Sequence, residues 1–84
     1  MSRKFNIGDL ITDNNARDIF LVVDYDEDGY MLNLKKAEWY PQLIIEHDPT
    51  LLFFLSFAEA NERSYRKLTE VEESTYYLEV LRKS

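Results

Sequence analysis

The segment "DIFLVVDYDEDGYMLNL", residues 18–34, constrains the fold of this chain more than any other. Two runs rich in β-branched and aromatic residues flank Asp26-Glu27-Asp28-Gly29, and residues of that kind fit a pleated, half-buried surface. The pattern predicts a β-hairpin, with Gly29 expected to supply the positive φ that closes a four-residue connection. The same letters also begin like a calcium loop, since Asp24, Asp26 and Asp28 alternate and a glycine follows. An EF-hand loop, however, needs a bidentate carboxylate at its twelfth position and helices on both sides. Counted from Asp24, that position is Lys35, a cation, and the flanks read as strands. The acids therefore read as turn-compatible, edge-blunting residues, and neither a metal nor a cofactor is expected.

Around the hairpin, "KFNIGDLIT" reads as a short strand through Phe5, Ile7, Leu10 and Ile11, and "DNNAR" (Asp13 to Arg17) as a turn. "KKAEWYPQ", Lys35 to Gln42, reads as a polar connection in which Pro41 disfavours helix at Tyr40. "LIIEH" is a strand candidate stopped by the turn signal Asp48-Pro49-Thr50. "LLFFLSF", Leu51 to Phe57, is apolar nearly throughout and predicts a buried central strand.

Ser56 stands three residues before Glu59, the spacing of a capping box, so a helical turn is predicted from Phe57 to Asn61. Residues 62–68 fit either a continuation of that helix or a closing strand. Thr69 and Glu72 repeat the capping-box spacing. Acids at 70, 72 and 73 with bases at 82 and 83 suit the two ends of a helix. Val71, Thr75, Leu78 and Leu81 fall on one face of it. A strand through "TYYLEVL" competes with this helix, which is favoured. The sum is a single domain, 1–84, mainly β with a C-terminal helix (α+β): a small barrel of four or five short strands over 1–68, then a helix over 69–84. A more open α+β sheet with the C-terminal helix across one face is the alternative.

"FNIGDLI" followed by "IFLVVDYDEDGYMLNL" resembles the start of small SH3-like barrels, including the KOW and Tudor classes, over roughly half the chain. The resemblance implies a protein that binds peptides, polymerase subunits, nucleic acid or modified side chains. Compact chains of this style are also common among small phage-encoded proteins, which implies a small effector binding a host protein. The basic loops of the nucleic-acid-binding kind are missing here.

Chemistry is thinly signalled. The 84 residues contain no cysteine and only two glycines, Gly8 and Gly29, so thiolate sites and Gly-rich phosphate loops are excluded. His47, between Glu46 and Asp48, has neighbours that a strand points to opposite faces, so no dyad is ready-made. An enzyme is not expected. No apolar run approaches the ~20 residues of a membrane helix and the N-terminus has no apolar signal core, so a soluble, cytoplasmic protein is expected.

Two candidate surfaces follow. The first is an acidic, aromatic-edged surface: Trp39 and Tyr40 on a loop, Tyr25 and Tyr30 at the hairpin, and a rim of Asp24, Asp26, Glu27 and Asp28. It suits another protein with a basic surface. The formal net charge of −6, and seven acids against Arg17 alone between Asp9 and Asp28, lean the same way. Trp39 and Tyr40 have a competing reading as a lid folded on the core, which small domains favour. The second surface, Arg63, Tyr65, Arg66 and Lys67, mixes stacking and phosphate-neutralising groups as single-stranded nucleic-acid sites do. Nearby Glu59, Glu62 and Glu70 make solvated ion pairs its simpler reading, so nucleic acid is not the preferred partner. A homodimer through Leu51 to Phe57 or the Tyr76-Tyr77 pair is a third option.

Overall fold

A computed structural model describes residues 4–13, 18–39 and 41–83, without the side chains of 47–49 and 83. Strands β1 (Leu10–Thr12), β2 (Ile19–Tyr25), β3 (Gly29–Glu38) and β4 (Ile44–Ser56) precede helix α1 (Phe57–Glu62). Strand β5 (Arg66–Lys67) and helix α2 (Glu70–Lys83) complete the chain. The sheet is antiparallel in the order β4-β3-β2-β1-β5. With β4 and β5 at its two edges it is open, which matches the open-sheet alternative and not the closed barrel of the resemblance.

Side-chain alternation divides the interior into two cores on opposite faces of this sheet. Ile11, Phe20, Val22, Tyr30, Leu32 and Leu55 face one side and pack with Phe5, Phe57, Ala60 and Tyr65. Leu10, Ile19, Ala37 and Ile45 face the other and pack with Leu43, Leu68 and Tyr76 of α2. Each core therefore covers only part of its face.

Several local expectations need correcting. The N-terminal strand shrinks to Leu10–Thr12 because Asn6 to Asp9 is a turn: the Asp9 carboxylate accepts from the Asn6 N–H at 2.8 Å, and Gly8 takes φ +94°. Lys35 to Glu38, expected in a polar connection, continues β3, and Lys35 is buried there, which lowers its pKa. Asp48-Pro49-Thr50 does not end a strand, since β4 runs through it. The register with β3 changes from Lys35↔His47 to Asn33↔Leu52 across it, so that residues 48–51 stand opposite Leu34 alone. Leu51 to Phe57 is not central: it lies on the edge strand and enters α1, with Leu55 fully buried while Leu52 and Phe54 are 56% and 45% exposed.

The positive φ expected at Gly29 is found at Gly8 and Ser64 instead. Gly29 answers a different need, because a Cβ there would lie 2.3 Å from the Leu55 carbonyl oxygen. Only a residue without a side chain lets β3 and β4 approach this closely.

Both predicted N-caps form, and the second is a full reciprocal capping box. The Ser56 hydroxyl accepts from the Glu59 N–H at 3.1 Å. The Thr69 hydroxyl accepts from the Glu72 N–H at 3.2 Å while Glu72 accepts from the Thr69 N–H at 2.8 Å. Residues 66–67 form a strand and not more helix, but as an edge strand on β1 that closes no barrel, with Ser64 at φ 55° leading out of α1. The orientation of α2 reverses the expectation. Tyr76 and Glu79 face inward, whereas Val71, Leu78 and Leu81 are 76%, 68% and 69% exposed.

Glu72 also receives the Arg66 guanidinium, at 2.9 and 3.3 Å, and this pairing holds its carboxyl down to about 2. Because the folded value lies below the ordinary one, the pair's contribution is complete above about pH 4.5. It is lost as pH falls from there toward 2. With the Arg66 side chain 44% exposed, solvent screening leaves about 1 kcal/mol. Chemical denaturation of the wild type and Glu72→Gln is expected to differ by that amount at pH 7. The two should converge near pH 2, and a gap that stays constant with pH would remove the ion pair from the explanation.

Candidate functional site

The hairpin tip is organised by one carboxylate. The Asp26 Oδ1 accepts from the Asp28 N–H at 2.7 Å and the Gly29 N–H at 3.1 Å, and the Asp26 N–H donates to the Gly29 carbonyl at 2.9 Å. This is the self-bonded turn that short acidic side chains favour. Asp24 accepts from its neighbour's N–H, that of Tyr25, at 2.8 Å. The carbonyl of Asp28 accepts from the Phe57 N–H at 3.0 Å, tying the tip to the start of α1. Among the described residues no group of three or more His, Asp or Glu side chains is placed to hold a metal.

The structure separates the expected aromatic surface into parts. Tyr30 is fully buried, its ring centroid 5.4 Å from Phe5 and 4.9 Å from Phe57. Its hydroxyl accepts from the backbone N–H groups of Lys4 and Phe5 at 2.7 and 3.1 Å. Tyr30 thus belongs to the interior, not to a surface. Trp39 packs half-buried against the core under α2, in agreement with the lid reading. It also lies just beyond the far end of β3 from the hairpin, and ten strand residues span about 33 Å. That approaches the 37 Å longest dimension of the molecule, so Trp39 and the hairpin do not share a surface. Tyr40 and the side chain of His47 lie outside the described residues.

What remains at the hairpin gains neighbours that the sequence did not suggest. A register shift between Val22 and Asp24 resets the pairing of β2, so that Asp24 stands opposite Met31, and Met31 in turn opposite Phe54. This row crosses three strands on the face away from the core of Tyr30 and Leu55. A shallow groove of about 110 Å³ runs along it, lined by Asp24, Tyr25, Asp26, Gly29, Met31 and Phe54. Tyr25 is 38% exposed, and Glu27 and Asp28 are exposed beside it. Leu52 and Phe54 were missed because a continuous apolar run reads as buried, and Met31 because only pairing with β2 and β4 sets it beside Asp24 and Phe54. The available sign was Pro49, which lacks an N–H and so favours an edge strand.

Of the basic cluster, the three cations are exposed but the aromatic is not. Tyr65 is buried, its ring edge-on to Phe20 at 5.6 Å, and presents no open face for stacking. Burial raises its pKa. Arg66 is held by Glu72, and Lys67 lies 3.5 Å from an Asp9 oxygen. Arg63 caps the C-terminus of α1.

A scan against protein-family models, a search of curated proteins and a search of solved structures found no match to this chain. No helix of the described residues is long and apolar enough to cross a membrane.

Proposed function

We propose that this domain is a non-enzymatic protein–protein interaction module that works through the open half-face beside the hairpin. The observation that carries the reading is the row Asp24, Met31 and Phe54, apolar side chains bordered by carboxylates on the sheet's open edge. Large apolar groups supply contact area, while the acids speed encounter and select a basic partner. The outer side of β4 past residue 50 also offers backbone donors and acceptors to an extended segment that alternates apolar and basic residues. The likeness of the opening segment to small SH3-like barrels, proteins that act by contact, leans the same way. A small phage effector that binds a host protein is the setting which that likeness suggests.

An array of extended peptides alternating apolar residues with Lys or Arg tests this directly, followed by capture from a lysate of the native host. Wild type is expected to retain a defined set of ligands whose on-rates fall at 0.5 M salt. Phe54→Ser, at an exposed position, is expected to lose at least tenfold in affinity, and Asp24→Asn combined with Asp26→Asn to lose the salt dependence. Equal binding by wild type and Phe54→Ser, or retention of nothing by either, would discard the reading.

A further inference from the structure

Helix α2 docks on the sheet with its polar side inward. Glu72 and Glu79 lie toward the domain beside Tyr76, and Val71, Leu78 and Leu81 face out. The outward residues fall at 71, 74, 78 and 81, which is the a/d spacing of two heptads, occupied by Val, Ser, Leu and Leu. Tyr77, 47% exposed, flanks this seam. A helix turned inside out in this way presents the stripe that a facing helix would cover.

We propose that α2 pairs with α2 of a second copy of this chain, antiparallel, across a two-fold axis near residues 76 and 77. Two features of the helix select that occupant and that direction. The first is charge: beyond Glu72, which Arg66 holds, the first turn carries Glu70 and Glu73, and the last turn carries Lys83 and Arg82, the latter already beside Glu79. Antiparallel pairing sets each acidic turn level with the basic turn of the other copy, and it also opposes the helix dipoles. Parallel pairing sets acids beside acids. The second is volume. In the antiparallel register Val71 meets Leu81 and Ser74 meets Leu78, a small residue against a large one in every layer. Parallel pairing would place Ser74 against Ser74. At the axis Tyr77 lies beside its own mate, and the contact is isologous, as closed dimers require.

The helix is about 21 Å long, and such a stripe covers roughly half of the ~800 Å² per partner of a standard interface. The dimer is therefore weak and concentration-dependent. It uses a different surface from the hairpin groove, so loss of either leaves the other intact.

Sedimentation velocity of the intact chain from 5 µM to 1 mM is expected to show a reversible monomer–dimer equilibrium. Leu78→Glu, whose site is open in the monomer, is expected to weaken dimerisation at least tenfold with an unchanged circular dichroism spectrum, whereas Phe54→Ser leaves it unaltered. Direction is read from disulfides, since the natural chain has no cysteine. Oxidising an equal mixture of Ser74→Cys and Leu78→Cys chains should yield mainly the mixed disulfide. A monomer at 1 mM, a dimer indifferent to Leu78→Glu, or disulfides formed chiefly between identical variants would each overturn the proposal.

Discussion

Gly29→Ala is expected to destabilise the domain by about 3 kcal/mol, lowering the melting temperature by more than 10 °C. The reason lies in what the new methyl would meet: the Leu55 carbonyl oxygen at 2.3 Å, the Ser56 Cα at 2.7 Å and the Leu55 carbonyl carbon at 2.9 Å. All three are backbone atoms, in the strand that leads into α1, so no side-chain rotation relieves the clash. Because Gly29 pairs with Ser56, the N-cap of α1, the strain also reaches the helix start. Gly8→Ala is the internal comparison. That position has φ +94° but nothing within 4 Å of the added carbon, so only the backbone penalty of about 1 kcal/mol applies. Thermal melts of the two variants separate close approach from positive φ. Equal losses would mean that the strands part at little cost.

The second large effect is expected at Tyr30. Tyr30→Phe keeps the ring contacts with Phe5 and Phe57 but removes the oxygen that accepts from the Lys4 and Phe5 N–H groups. The N–H of Phe5 is then left buried without its acceptor, and a lost buried bond costs about 1–3 kcal/mol. Melting should fall by roughly 5–15 °C. Hydrogen exchange gives the specific signature: the Phe5 amide should lose protection far more than the amides of α2. Uniform change across the chain would place the effect elsewhere.

How much of this was legible beforehand depended on whether the deciding physics was local. The hairpin and both helix starts were, because a strand run beside Asp-Glu-Asp-Gly, or Ser and Thr three residues before Glu, encode geometry within a few positions. Face and edge were not. Whether Leu51 to Phe57 is central depends on which strand lies beyond it, and the described residues supply none beyond β4. The sense in which α2 docks follows from Tyr76 reaching the pocket of Leu10, Ile19 and Ala37, which no helical wheel contains. The candidate site divided along the same line. Asp24, Tyr25 and Asp26 were legible because they surround a turn, while Met31 and Phe54 join them only through pairing with distant strands. Tyr30 was misplaced by one register step: in an alternating strand its neighbour Met31 points outward and it does not.

The detour at residues 48–51 has a consequence for what can attach along β4. An uninterrupted thirteen-residue border would be a template on which copies of the chain stack without limit. The extra residues and the proline divide that border into two short lengths out of step with each other, so another molecule can lie against one length but cannot continue onto the next. If the domain works as proposed, the same break that denies fibres a foothold leaves it one short docking berth.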